Sequence, residues 1–118
     1  MKFDDRRIEL RAAAVYQITY ECYRQGAKVG EGFARTVNVS ENGALVEMPQ
    51  GIELDASLVL AILSPFYTLV IRGDVMHSRQ ISDHAYHVGV RLTDAIDGNW
   101  DHLKLDVRKC LRETMYEG

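Results

Sequence analysis

Residues 36–46 read TVNVSENGALV, and the spacing of their side chains predicts two short strands joined by a tight turn. Asn-Gly within residues 41–43 is a strong hairpin signal, because both residue types tolerate a positive φ. Side chains two positions apart on a strand share one face of it, so Asn38 and Ser40 should point the same way. The stretch therefore predicts an antiparallel hairpin that carries two small polar groups.

Short alternating segments on both sides of this hairpin predict more strands. In residues 14–23, AVYQITYECY, apolar and polar side chains alternate, which is typical of a half-buried strand with Tyr16 and Tyr20 on its core side. Residues 24–32, RQGAKVGEG, are rich in glycine and predict a turn. The predicted strands are 14–23, 32–39, 44–48, 57–63, 66–75 and 84–92. Because they follow one another closely, we expect an all-β fold over residues 14–92, either a small six-stranded antiparallel β-barrel or a closed sheet.

The end of the chain has a different period, which predicts a C-terminal α-helix over residues 97–117. Asp97 or Asn99 can cap its start. Its apolar stripe should pack on the barrel. The stripe consists of Trp100, Leu103, Val107, Cys110, Leu111, Thr114 and Met115. At 118 residues the chain, 1–118, is expected to form a single domain with a core of its own.

Composition narrows the class of protein. A net charge of -3 argues against a general nucleic-acid binder, which usually presents a basic surface. No apolar segment is long enough for a signal peptide or a membrane span. The two cysteines, Cys22 and Cys110, lie far apart and match no ligand spacing. We therefore expect a cytoplasmic protein with reduced thiols.

Neither catalysis nor a metal site has a candidate set of residues. His84 and His87 are three apart on a predicted strand and should point to opposite faces, with no cysteine nearby. No nucleophile elbow, phosphate loop or HExxH pattern occurs. We expect a protein that is not an enzyme and that uses no metal and no cofactor.

An arginine-rich stretch, DDRRIELR at residues 4–11, precedes the first predicted strand. Arg7 and Arg11 would lie about 13 Å apart in an extended chain, and closer in a bent loop. Guanidinium groups bind phosphate oxygens in bidentate fashion and stack on flat bases. Each motif also has an ordinary interpretation: nearby carboxylates can neutralise the arginines, and Ser40 can simply satisfy the backbone of a hairpin turn.

Taken together and in this order, the two stretches resemble the motifs of the PilZ domain family. That family carries RxxxR followed some distance later by [D/N]xSxxG. This chain has RIELR from Arg7 to Arg11 and NVSENG from Asn38 to Gly43. The resemblance covers nearly the whole chain and implies a small antiparallel barrel that binds the bacterial second messenger cyclic di-GMP.

The resemblance also implies roles for particular residues. Arg7 and Arg11, in an N-terminal clamp loop at residues 1–13, would grip phosphates and guanines of the ligand. Asn38, Ser40 and Gly43 would contact the other side of a guanine. Asn38 stands where aspartate is common in the family, which removes a negative charge beside an anionic ligand.

Arg6 lies just before the first motif arginine, and in the family an arginine at this position favours a stacked pair of ligands. We therefore expect two molecules of cyclic di-GMP per site. Because few residues flank the predicted domain, the signal is expected to pass to an unidentified protein partner or through self-association. The family commonly regulates motility, exopolysaccharide production and biofilm formation.

Two other functions stay open at this point. The same barrel could be a PilZ-like protein-interaction module that does not bind nucleotide. A small barrel can also bind single-stranded nucleic acid, but such folds present a positive groove with exposed aromatic residues. This chain is acidic, and Tyr16 and Tyr20 are expected on the core side.

Overall fold

Six antiparallel strands close into one barrel in a computed structural model that describes residues 15–65, 67–99, 101–105 and 108–109. The strands are β1 (Gln17–Arg24), β2 (Ala27–Val39), β3 (Gly43–Met48), β4 (Ser57–Leu63), β5 (Thr68–Ser82) and β6 (Ala85–Asp97). Around the barrel their order is β1-β2-β3-β6-β5-β4. The predicted six-stranded antiparallel β-barrel is confirmed.

Alternate side chains of each strand fill the barrel and form its core. On β1, Ile18, Tyr20 and Cys22 are buried, as the period of the sequence predicts, and Tyr16 packs against the cluster. Burying one large aliphatic side chain is worth about 1.5–3 kcal/mol, so the interior supplies the main driving force for folding. The other large core side chains include Val39, Val46, Met48, Leu58, Leu60, Leu69, Ile71, Val88 and Val90.

The turn between β1 and β2 is shorter than the sequence suggests. It consists of Gln25 and Gly26 alone, whose φ angles of 54° and 80° give the primed type of hairpin turn. The prediction of a turn over residues 24–32 was therefore wrong. Gly32 belongs to β2, and a Cβ at that position would lie 3.0 Å from the Tyr20 hydroxyl. This glycine makes room for a buried ring rather than for a change of direction.

The β5–β6 hairpin is longer than predicted. β5 continues to Ser82, and β6 continues to Asp97, so the barrel does not end at residue 92. Cross-strand pairing explains the extension, because β5 and β6 pair from Val70↔Asp97 to Ser82↔Ala85. Such non-local pairing is not visible in the local alternation of side chains, on which the prediction was based.

The C-terminal helix begins after β6, and residues 101–105 and 108–109 are helical. Asn99 caps it, since the Asn99 Oδ1 accepts a hydrogen bond of 2.8 Å from the Asp101 amide. Asp97, the other proposed cap, belongs to β6. Leu103 is 1% exposed and joins the core cluster, as predicted. The remaining predicted stripe residues lie outside the described residues. Within the described residues, no helix is long and apolar enough to cross a membrane.

Candidate functional site

The turn between β2 and β3 is organised by Ser40, which is fully buried. Its amide donates to the Gly43 carbonyl at 2.8 Å, and its Oγ accepts from the Gly43 amide at 3.1 Å. The Asn42 amide is 3.4 Å from the same Oγ, which also donates to the Gly43 carbonyl at 3.3 Å. A single serine thus holds both ends of the turn in place.

Asn38 occupies the last part of β2, where the strand is irregular. It pairs with Leu45 of β3, and the register shifts between Thr36 and Asn38. Such a bulge bends a strand and changes the direction of its side chains. The two polar groups that the sequence places on one face differ in burial, since Asn38 is partly exposed whereas Ser40 is enclosed by the turn.

The hairpin lies beside β6, which brings a further cation to it. Gly43 pairs with Arg91, whose side chain is 61% exposed. The Arg91 Nη2 lies 3.1 Å from the Asp74 Oδ2 on the neighbouring strand β5. Arg91 belongs to neither sequence motif, and only the pairing of β3 with β6 reveals that it lies next to the second one.

The turn is also tied to the C-terminal part of the fold. The Leu92 amide of β6 donates to the Asn42 carbonyl at 2.9 Å. The Arg108 Nη2 lies 2.9 Å from the Glu41 Oε1, so an ion pair joins the helix to the motif turn. Both side chains are exposed, and such pairs contribute about 0–1 kcal/mol. These contacts therefore matter for the site because they fix the position of the turn, and they contribute little to the stability of the fold.

A second polar cluster lies further along β3. Glu47 bridges Arg35 and His87, with contacts of 3.2 and 3.3 Å. The hydrogen bond to His87, supplemented by Arg35, lowers the pKa of Glu47 below its ordinary value. His84 lies in the turn between β5 and β6, not on a strand, so the expectation that His84 and His87 occupy opposite faces of one strand was wrong.

An open groove of about 330 Å³ adjoins this cluster. Phe33 is 76% exposed at its edge. The groove is lined by Gln17, Phe33, Ala34, Arg35, Glu47, Met48, Pro49 and His84.

No group of three or more histidine, cysteine, aspartate or glutamate side chains able to hold a metal ion occurs within the part of the chain that the structure describes.

Of the predicted ligand-binding residues, three are placed by the structure. Asn38, Ser40 and Gly43 come together in the β2–β3 hairpin. Arg6, Arg7 and Arg11, together with the predicted clamp loop at residues 1–13, lie outside the described residues. The assignment of all six as ligand contacts stays a prediction.

A family model described as the PilZ domain matches residues 5–108, which is most of the chain. The chain belongs to the PilZ domain family. The match includes both stretches that carry the RxxxR and [D/N]xSxxG patterns. PilZ domains are binding and adaptor modules, and no catalytic family is indicated.

A solved structure has a similar fold. It is described as the structure of the Bacillus subtilis inhibitor of motility, MotI/DgrA, and it superimposes with a TM-score of 0.68 at 19% sequence identity. The alignment covers 98% of this chain and 55% of that one, so this PilZ domain spans about half the length of MotI/DgrA. A comparison with curated proteins gives no match.

Proposed function

We propose that this PilZ domain is a cytoplasmic receptor for cyclic di-GMP that passes the second-messenger signal to a protein partner or to a second copy of itself. The observation that carries the proposal is the family match over residues 5–108, which includes both motif stretches. The geometry of the second motif supports it, because Ser40 fixes a tight turn beside a partly exposed Asn38.

The chemistry of the ligand suits these side chains. Cyclic di-GMP carries two phosphates and two guanines. Arg7 and Arg11 would bind phosphate oxygens as bidentate forks or stack on a guanine. The Asn38 amide offers both donors and acceptors for the edge of a guanine, and Gly43 has no side chain that would hold the ligand away from the turn. Ser40 would act from within the turn, next to the bound base.

Isothermal titration calorimetry with cyclic di-GMP tests the proposal. Losing a charged hydrogen bond costs about 1.5–3 kcal/mol, so Arg7→Ala or Arg11→Ala should weaken binding roughly 10-fold to more than 100-fold. Arg24→Ala is a matched control, since Arg24 pairs with Asp55 at the opposite end of the β1–β2 hairpin from Asn38. Undiminished affinity in both motif variants would remove the assignment.

The same titrations report stoichiometry. We propose that Arg6 stacks on an additional base, so the wild-type protein should bind two ligands per site and Arg6→Ala should bind about one. Arg6→Ala also keeps Arg7 and Arg11, which separates the number of ligands from the strength of the clamp. A wild-type value near one that Arg6→Ala leaves unchanged contradicts this role.

Signal output is proposed to depend on the N-terminal stretch, which folds onto the barrel when ligand arrives and so forms a new surface. Ordering a segment has an entropy cost that the new ion pairs must exceed. Amide hydrogen exchange at residues 4–12 should slow on addition of cyclic di-GMP. Equal exchange with and without saturating ligand would exclude this mechanism while leaving nucleotide binding intact.

A second candidate function is a protein-interaction module that does not bind nucleotide. The observation that favours it is Phe33, which is 76% exposed beside the groove on β2 and β3. Exposed apolar surface of this kind is typical of contact sites between proteins when it forms a patch. The calorimetric titration distinguishes the two functions, because the module would give no binding isotherm with cyclic di-GMP.

A further inference from the structure

The pairing of β2 with β3 ends early, and a groove opens where it ends. β2 pairs with β1 over most of its length, but its pairing with β3 stops at Arg35↔Glu47. Two residues beyond Glu47 stands Pro49, which has no amide hydrogen and cannot continue the ladder. The open groove of about 330 Å³ is lined from both sides of this gap, by Ala34 on β2 and by Pro49 after β3.

A projecting apolar side chain stands at the edge of this groove. Phe33 is 76% exposed, the largest exposed fraction among the large apolar side chains of the described residues. The groove beside it is lined partly by the apolar side chains of Ala34, Met48 and Pro49. A volume of about 330 Å³ lies at the lower end of the range for pockets that hold small ligands, so the groove can accept a phenyl ring. One patch of surface thus carries both a projecting ring and a recess of suitable size.

A projection and a matching recess on one patch are what a two-fold contact between identical chains requires. In such a contact the same patch of both copies meets, so a group that projects from one copy must find a recess in that patch of the other. A two-fold axis that passes between Phe33 and the groove places each ring in the groove of the second copy. A different protein would need only one of the two features, which favours a second copy of this chain as the occupant.

The charges that line the groove are self-complementary in the same way. Arg35 and Glu47 both line it, and the Arg35 Nη2 lies 3.2 Å from the Glu47 Oε2. Their side chains are 53% and 28% exposed, so both can be reached from outside. Under a two-fold rotation the Arg35 of one copy approaches the Glu47 of the other, and the reverse contact forms with it. Opposite charges can therefore meet on both sides of the axis.

The outer surface next to Phe33 is suited to contact with a protein because it carries little charge. Phe33 pairs with Thr19 on β1, and Thr19 pairs with Ala61 on β4. Leu63, on the same face of β4, is 52% exposed. None of these four side chains is charged, whereas Arg35 lies at their margin. Interfaces between proteins are commonly depleted in charge at the centre and polar at the rim.

We propose that the domain forms a two-fold dimer through the outer face of β1, β2 and β4, in which Phe33 of each copy occupies the groove of the other. We call this surface, made of the groove together with Phe33, Thr19, Ala61 and Leu63, the Phe33 face. Asn38 lies five residues after Phe33 on β2, roughly 16 Å along the strand, so the β2–β3 turn stays outside the contact. The dimer therefore does not depend on nucleotide, and it stands or falls separately from the receptor function.

Sedimentation equilibrium without any nucleotide tests the dimer. A contact of this small extent belongs to the weak class of interfaces, so the wild-type protein should change from monomer to dimer between about 1 and 500 µM. Phe33→Ser should raise the dissociation constant roughly 30- to 700-fold, because each dimer loses two rings at the centre of the contact.

Leu54→Ser is the matched control for Phe33→Ser. Leu54 is 64% exposed, and it adjoins Asp55, which pairs with Arg24 at the end of β1. It does not line the groove, so its replacement should leave the dissociation constant unchanged. Thermal melting verifies that each variant is folded.

A mixture of two charge variants tests the orientation of the copies. Arg35→Glu and Glu47→Lys each place like charges across the axis of a homodimer, so each variant should be more monomeric than the wild type. In an equimolar mixture the acidic groups of one variant face the basic groups of the other, and dimers should reappear as heterodimers. Mixing cannot restore an ion pair lost within one chain. A mixture no more dimeric than either variant alone would overturn this orientation.

Three other outcomes would overturn the dimer itself. They are a wild-type protein that stays monomeric up to about 500 µM, a Phe33→Ser variant that associates as strongly as the wild type, and equal weakening by Phe33→Ser and Leu54→Ser. Calorimetry with cyclic di-GMP keeps this result apart from the receptor function, because Phe33→Ser should leave the nucleotide affinity unchanged. A fall in that affinity would contradict the separation of the two surfaces.

Discussion

Replacing Ser40 with alanine separates the structural role of the second PilZ motif from its proposed role in ligand binding. The Ser40 hydroxyl accepts hydrogen bonds from the amides of Gly43 and Asn42, at 3.1 and 3.4 Å. Ser40 and Gly43 are both buried, so water cannot replace the lost hydroxyl at the Gly43 amide. Alanine therefore leaves a buried donor without its partner.

The expected loss follows from that unsatisfied amide. Leaving one buried polar group unpaired costs about 1–3 kcal/mol, and this should appear as a lower free energy of unfolding in the absence of any ligand. In urea, with an m-value of about 2 kcal/mol per molar, the midpoint should fall by roughly 0.5–1.5 M. A loss of this size is a substantial part of the stability of a domain this small.

Urea unfolding followed by circular dichroism measures the effect. Ser82→Ala is the matched control, because Ser82 is exposed at the end of β5 and its loss should change the free energy of unfolding by less than about 0.5 kcal/mol. An unchanged midpoint for Ser40→Ala would refute the view that the hydroxyl holds the turn. Contact with the ligand would then be the main role of Ser40.

Three further predictions concern the core, the surface and the thiol. Leu103→Ala should lower the free energy of unfolding by about 2–5 kcal/mol, because Leu103 is 1% exposed against the barrel; a loss below 1 kcal/mol in urea unfolding would mean that the helix packs loosely. Because the folded pKa of Glu47 is lowered from its ordinary value of 4.5, its stabilising contribution is present above about pH 4.5 and is lost as the pH falls through the folded value, so Glu47→Gln should destabilise the protein more at pH 6 than at pH 3 in thermal melts. Equal losses at both pH values would contradict this. Burial raises the pKa of the Cys22 thiol, so in a Cys110→Ser background it should react with a disulfide reagent slowly in the native state and rapidly in urea; fast native reaction would contradict its burial.

The barrel could be predicted from sequence because its strands are short, alternate regularly and follow one another. Alternation places Ile18 and Tyr20 in the core without knowledge of any partner strand. The cap at Asn99 is equally local, since it needs only a side chain next to the first helical turn. Local patterns of this kind are what a single sequence encodes most directly.

The sequence-based predictions are wrong where the structure of a residue depends on contacts with a segment that is distant in the sequence. The sequence predicts that Gly32 belongs to a turn. A glycine stands there instead because a Cβ would crowd the Tyr20 ring on the paired strand. The extra length of β6 depends on its pairing with β5 in the same way.

The candidate site shows the same difference between residues that belong to a local motif and residues that strand pairing brings to it. Asn38 and Gly43 were identified from a motif contained in one hairpin. Arg91 was missed, because only the pairing of β3 with β6 brings it next to that hairpin. A single sequence carries no record of strand register between distant segments, so residues that complete a site from another strand have no local mark.

An NMR titration of ¹⁵N-labelled protein with cyclic di-GMP, followed through the backbone amides, tests directly whether the nucleotide binds at the β2–β3 hairpin. Saturable shifts are expected at Asn38, Gly43 and Arg91, which lie on one outer face of β2, β3 and β6. Asp55, near the far end of the barrel, should stay unchanged. Shifts confined to the groove beside Phe33, or no shifts at saturating ligand, would contradict nucleotide binding at this hairpin.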